Sequence, residues 1–347
     1  MFKHTKLFFI NITVYLILII CSDLVFGYWF KDYNFGPQLR GKRIQKIVFN
    51  HNNEKTIYLR DFYGFREDGN IYEKYNTSKI KIIFNGGSTG DESYLNYDDT
   101  IVGKLNMYLN KDDTNLKIYN ASLSGKSLNG HVKEFRSWFS NIPNFKPDIM
   151  IYYLGINDKI IRPDRWHDFN SNLDFFENIY WNITQKSFFY EKIKHVKDNF
   201  FFTQKDRYFT NDQDLIQKLK SNKFVSYEFA KSNYKIKSIE EKKVINHFKN
   251  NLKKLKDELN NFNIKPIFIT QIRYDINGQK ILFFLNEELK EFSKKDNYDI
   301  IKLDELINSP LYNSFIDTVH TNKKGSEEIS KVLYPELKKI LIGHYNN

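Results

Sequence analysis

A single cysteine, Cys21, is all the thiol chemistry that this chain of 347 residues carries, and it lies inside an apolar N-terminal run. The rest of the chain therefore has no thiol nucleophile, no cysteine-based zinc site and no disulfide framework. His51, His131, His167, His195 and His247 show no metal-ligand spacing, and neither His-Glu-x-x-His nor His-x-His occurs. That argues against a zinc-dependent deacetylase, and no metal or other cofactor is expected. The segment Gly86-Gly-Ser-Thr-Gly90 lacks the lysine and the spacing of a P-loop, and the dinucleotide-binding glycine pattern is missing as well. There is no block of like charge either. The net charge of +11 comes from lysines spread along the chain, which describes a generally basic surface and no nucleic-acid arm. Such a surface would suit an acidic glycan or anionic lipid equally well.

Apolar residues make up 41% of the chain and aromatics 17%, with 31 Phe and 23 Tyr, ample material for a packed interior in one large domain or two. The N-terminus sets the compartment. Lys3, His4 and Lys6 precede an apolar run from Leu7 to Ser22, which Asp23 interrupts before Leu24-Val-Phe-Gly-Tyr-Trp-Phe30 resumes. About twenty such residues can cross a bilayer, and lysines in front of them favour a cytoplasmic N-terminus. Tyr28 and Trp29 would then lie at the far interface. A cleaved signal peptide is the alternative, but no small-x-small site follows the run, and Ile20 stands where lipoprotein processing at Cys21 would want a small residue. The expectation is a single-pass membrane protein whose bulk lies outside the cytoplasm.

Three segments follow. Residues 1–30 form the anchor. In residues 31–79, Ile44 to Phe49 and Thr56 to Leu59 flank a polar His51-Asn-Asn-Glu turn and predict a β-hairpin. From residue 80 to 347 strand and helix patterns alternate, the mark of a parallel sheet with helices on both faces. The predicted strands are Ile80 to Asn85, Leu116 to Asn120, Asp148 to Leu154, Lys265 to Thr270 and Tyr298 to Leu303. Helical spacing marks Ile101, Val102, Leu105 and Leu109, with Asp98 and Asp99 at the helix start, then Leu128, Val132, Phe135 and Phe139. It returns with Ile245, Phe248, Leu252, Leu255 and Leu259, and with Ile281, Leu285, Leu289 and Phe292. A last helix starts near Gly325 and carries Ile329, Val332, Leu333 and Leu337, and Pro335 is expected to kink or divide it. Residues 159–240 break the rhythm as an aromatic, partly helical insertion. Trp166, Phe169, Phe175, Phe176, Tyr180 and Trp181 belong to it. They could stack on sugar rings or line an acyl groove, but packing a subdomain is the plainer reading.

The chemistry gathers around Ser88. An apolar β-branched run empties into Gly86-Gly-Ser88, which would place the serine at the carboxyl end of a strand, where open α/β sheets bind ligands. Ordinary loop punctuation looks the same. Two further strands end in loops that carry glycine and polar groups, Asn120-Ala-Ser-Leu-Ser-Gly125 and Gly155-Ile-Asn-Asp158. Near the end, Asp317 and His320 are three residues apart, so the carboxylate can accept from one imidazole nitrogen while the other takes a proton.

In order, spacing and residue type these four blocks resemble the SGNH (GDSL-type) hydrolase superfamily. The resemblance spans about residues 80 to 340. It implies Ser88 as nucleophile, His320 as general base oriented by Asp317, and an oxyanion hole made from the amides of Ser88 and Gly125 and the side chain of Asn157. It also implies a three-layer α/β/α fold around a five-stranded parallel, flavodoxin-like sheet, in which the first strand lies between the second and third. One departure stands out: Gly87 occupies the place of the aspartate in the usual Gly-Asp-Ser. The expected activity is cleavage of ester-linked acyl groups on a small molecule or glycan, O-acetyl groups of an envelope glycan among them. Acyl transfer to a sugar hydroxyl and a non-catalytic glycan-binding or assembly role are the alternatives.

Overall fold

The computed structural model describes residues 2–30, 43, 45–51, 54–67, 69, 81–112, 116–161, 168–169, 174–200, 225–273, 276–307 and 314–345. Among these, five short strands form the parallel centre: β4 (Ile82–Gly86), β5 (Ile118–Asn120), β6 (Ile149–Tyr153), β7 (Lys265–Ile269) and β8 (Asp299–Ile301). They follow β1 (Gln45–His51), β2 (Glu54–Arg60) and β3 (Arg66–Glu67) in the chain. The sheet order is β1-β2-β3-β5-β4-β6-β7-β8. All neighbours from β5 to β8 are parallel, and β4 lies between β5 and β6. The parallel part thus has the flavodoxin-like order, which brings the loops after β5 and β6 to either side of the one after β4.

The alternation of side chains along each central strand sorts the core into two layers. Ile83, Met150, Tyr152 and Phe268 face helices Leu128–Ser137, Ile239–Asn261 and Ile276–Asp296, through residues such as Phe135, Phe248, Leu252 and Leu285. Ile82, Phe84, Ile151, Tyr153 and Ile267 face helices Ile101–Lys111 and Lys323–Tyr345 through Leu105, Leu109, Leu333 and Leu337. Each such side chain, taken fully out of water, stabilises the fold by roughly 1.5–3 kcal/mol.

Several local expectations are corrected. The hairpin of β1 and β2 forms, with its turn residues 52 and 53 outside the described residues, but it does not stand apart. The two-residue strand β3 pairs with β2 and then, at Arg66 and Asn120, antiparallel with β5, so the sheet has eight strands and is mixed. A two-residue strand is too short to leave an alternation pattern. Asp98 and Asp99 lie in a separate 3-10 turn, and the following helix is capped by Thr100, whose side chain accepts from the Gly103 amide. The C-terminal helix runs undivided through Pro335. Pro335 and Lys331, four residues before it, are exposed, so water can satisfy the carbonyl that proline leaves without a donor, while Ile329, Leu333, Leu337 and Leu341 hold both halves to the sheet.

The insertion contains helices Phe175–Lys186, Phe188–Phe200 and Tyr227–Asn233. Phe169 is buried as the packing reading expects, but Phe175, Phe176 and Tyr180 are exposed. Trp166 lies outside the described residues. The N-terminal helix Phe2–Phe26 has no buried residue in its apolar stretch Thr5–Phe26, and by length and composition it can cross a membrane.

Candidate active site

Ser88 opens a one-turn helix, Ser88–Asp91, directly after β4 and Gly87. Its Oγ lies 2.8 Å from His320 Nε2. His320 Nδ1 is in turn 2.6 Å from Asp317 Oδ2. The other oxygen of Asp317 accepts the amides of Val319 and His320 at 2.8 and 2.7 Å. Both carboxylate oxygens are thus occupied and the ring is held to one orientation, which fixes the proton on Nδ1 and leaves Nε2 to accept from the serine. Burial pushes the Asp317 carboxyl up, but the hydrogen bond and charge of His320 and the two amides outweigh it and hold the group below the ordinary aspartate value. The loop itself is closed by a bridge between Phe315 and Thr321 and by the Ile316 amide donating to His320 O at 2.7 Å.

The other two predicted residues come from the flanking loops. Asn157 sits in the 3-10 turn Ile156–Asp158 after β6, where its Nδ2 donates to Lys126 O at 2.9 Å. A Cβ on Gly87 would lie 2.2 Å from that same Nδ2. The Asn157 amide therefore occupies the space a side chain at 87 would need, immediately beside the nucleophile. Gly87→Ala should displace Asn157 and, with Asn157 in the role the resemblance implies, lower kcat on an acyl ester by on the order of 100-fold; a steady-state assay with wild-type-like unfolding as control checks it. Gly125 follows β5 in a turn with φ of +81°, a conformation that favours glycine. Its neighbour Ser124 donates from both amide and hydroxyl to Asp91 Oδ2, at 3.2 and 2.7 Å, and so ties this loop to the helix of Ser88.

Sequence reasoning missed the side chains that hold these loops together. Asp91 also accepts from Tyr58 Oη at 3.1 Å and from Arg60 Nη2 at 2.8 Å. Arg60 donates further to the carbonyls of Gly64 and Ser122, and Arg66 to those of Asp91 and Leu95. Both arginines are fully buried. Their only trace in the sequence is a pair of cations inside the aromatic stretch Arg60-Asp-Phe-Tyr-Gly-Phe-Arg66. Gln271, after β7, accepts the Ile156 amide at 2.7 Å and donates to Thr89 Oγ1 at 2.9 Å, joining the asparagine loop to the nucleophile helix. Lys126 is buried against Glu134 Oε2 at 2.5 Å and Asn85 Oδ1 at 2.9 Å. Among the described residues no group of three His, Cys, Asp or Glu side chains is placed to hold a metal ion.

Glu92 links the helix of Ser88 to the loop of His320. It is buried at the C-cap of the Ser88 helix, with φ of 43°. It accepts from the Ile101 amide at 2.6 Å and from Thr321 Oγ1 at 2.9 Å, and also from Ser326 Oγ. Burial pushes its carboxyl up to about 7 in spite of these donors. The folded protein therefore keeps this proton when the unfolded chain has lost it, so stability falls as pH rises from about 4.5 to about 7. Glu92→Gln, which keeps an acceptor and the shape, should remove roughly 3 kcal/mol of that decline. Urea unfolding at pH 5 and pH 8 would show it, and an unchanged pH slope would count against it.

No family model and no curated protein matches the chain. Solved structures do. An esterase, EstA, from Pseudoalteromonas sp. is 15% identical with a TM-score of 0.39, covering 77% of this chain and 100% of its own. A lipolytic protein of the G-D-S-L family from Desulfitobacterium hafniense is 12% identical with a TM-score of 0.42, covering 74% and 99%. A catalytic mutant of Axe2, an acetylxylan esterase from Geobacillus stearothermophilus, is 13% identical with a TM-score of 0.42, covering 75% and 94%. Likenesses this distant leave both fold and chemistry to be read from the chain's own residues.

Proposed function

We propose that the chain is a serine ester hydrolase that works through an acyl-enzyme on Ser88. The observation that carries this reading is the continuous relay from Ser88 Oγ through both ring nitrogens of His320 to Asp317. Ser88 Oγ attacks the ester carbonyl while His320 Nε2 takes its proton. The oxyanion that forms is stabilised by the Ser88 and Gly125 amides and by Asn157 Nδ2, which the flanking strands hold on either side of the nucleophile. The alcohol leaves with the proton from Nε2. Water, deprotonated by the same nitrogen, then attacks the acyl-enzyme, and the acid departs as Ser88 regains its proton.

In this reading residues 1–30 anchor the chain in a membrane, residues 31–79 carry β1 to β3 on one edge of the sheet, and residues 80–347 form the hydrolase domain, with the insertion at 159–240. Lys3 and Lys6 ahead of the apolar stretch support placing that domain outside the cytoplasm. That location and the net charge of +11 support an acylated envelope glycan as substrate.

A fluorophosphonate probe and a panel of short-chain esters test the proposal. The probe should label the wild-type chain and not Ser88→Ala. Asn157→Ala should lose about 100- to 1000-fold in kcat while still being labelled slowly. A wild-type chain that neither reacts with the probe nor releases acid from any ester would overturn it.

A further inference from the structure

The end of the N-terminal helix is stitched to the insertion. Asp23 Oδ1 accepts from Ser187 Oγ at 2.9 Å and from the Phe189 amide at 3.1 Å, while its Oδ2 accepts from Trp29 Nε1 at 3.0 Å. The Tyr28 amide donates to Lys186 O at 2.8 Å, and the rings of Phe26 and Phe188 are 5.7 Å apart. The junction between insertion helices Phe175–Lys186 and Phe188–Phe200 thus sits at the level where the apolar stretch Thr5–Phe26 ends.

The first of these helices is twelve residues long, so at 1.5 Å per residue no part of it lies more than about 18 Å along its axis from that level. On it Phe176, Ile179, Tyr180 and Ile183 recur at i, i+3, i+4 and i+7, the spacing of one helix face. All four are exposed, Phe176 at 78%, and Phe175 beside them at 74%. The second helix adds Ile193, 67% exposed. A soluble surface does not ordinarily carry an aromatic and aliphatic stripe at helical period. Lys186, Lys192, Lys194 and Lys197 lie on the same two helices with Glu177, Glu191 and Asp198, so the face is carried by its apolar stripe and by only a slight positive excess.

We propose that this face of the insertion lies in the bilayer interface, in the leaflet where the N-terminal helix emerges, as a second membrane contact beside the anchor. The inference rests on the anchor reading of residues 1–30. An interfacial helix of this kind buries its apolar side about 5–10 Å into the boundary between headgroups and acyl chains. Two contacts, one spanning and one lying flat, hold the domain at a set height and rotation above the membrane. The active site then addresses a surface at a fixed distance, as an acylated glycan or lipid-linked substrate at the envelope would require.

The test uses the full chain in vesicles of phosphatidylethanolamine and phosphatidylglycerol that carry a spin-labelled quencher at the shallow acyl position. An environment-sensitive fluorophore is attached at native Cys21, or, in a Cys21→Ser background, at Ile179→Cys or Lys331→Cys. Quenching at Cys21 reports the anchor, and Lys331→Cys supplies the aqueous baseline. The proposal expects the label at Ile179→Cys to shift its emission to the blue and to be quenched several-fold more than the label at Lys331→Cys. If Cys21 is quenched and Ile179→Cys matches the baseline, the anchor stands and the proposal fails. If neither is quenched, both fail. If Ile179→Cys is shielded from water but not quenched, and cross-links to a second copy, the face is a contact between chains and the proposal is overturned.

Discussion

Ser88→Ala should lower kcat on an activated acyl ester by on the order of a million-fold, with His320→Ala close behind and the double variant no worse than either single one. The non-additivity follows from the geometry. Ser88 Oγ and His320 Nε2 are 2.8 Å apart and act in one step, so removing either abolishes the same event. What should remain in all three variants is the proposed stabilisation of the oxyanion by Asn157 and the amides. Asp317→Asn is expected to cost less, about 10,000-fold. An amide at 317 still fills the space and can accept the two backbone amides with its oxygen. It then presents its NH2 to Nδ1 and drives the imidazole proton to Nε2, where it can no longer take one from serine. Steady-state rates of the four variants, with their unfolding curves as controls, check the series. A double variant whose loss equals the product of the single losses would mean that the two groups act independently and would sink the relay.

The parts legible in the sequence and the parts that are not differ for a physical reason. Ser88, Asn157, Gly125 and the Asp317–His320 pair stand at the ends of strands or in one short loop. Their places are set by residue type and by the apolar runs that precede them, and both are visible in one dimension. The central parallel strands β4, β5 and β6 are legible for the same reason, being apolar enough to be buried on both faces. What ties the loops to one another is not. Asp91 meets Arg60 across thirty-one positions, and Glu92 meets Thr321 across 229. No local period announces such a contact, because a buried charge in a sequence looks like a surface one until its partner is known. The face of the insertion fails in another way. Phe176, Ile179, Tyr180 and Ile183 have the spacing of a core-facing stripe, yet they are exposed, so the period alone does not tell a buried face from an open one.

Arg60→Met should destabilise the protein by about 3 kcal/mol, since it breaks the buried ion pair with Asp91, for which the charge of Arg66 nearby compensates only in part. Arg60 and Asp91 are 0% and 2% exposed, with 2.8 Å between Nη2 and Oδ1. Arg60 also carries Tyr58 Oη at 2.5 Å and the carbonyls of Gly64 and Ser122. Methionine fills much of the volume but satisfies none of these groups. Asp91 would keep Tyr58 and Ser124 as donors, which soften the loss without cancelling the charge. Asp91→Asn, paired with Arg60→Met, removes that stranded charge and should recover part of the stability. The double variant would still be slow, because the Ser122 carbonyl, three residues before Gly125, loses its Arg60 donor and the turn loosens. Stability and rate thus separate. Equilibrium unfolding in urea should place the double variant above Arg60→Met, while its kcat stays below wild type with KM little changed. If Arg60→Met costs under about 1 kcal/mol, the charge is not held in the low-dielectric environment that makes such pairs strong. Arg60 would then be incidental to the helix that Ser88 opens.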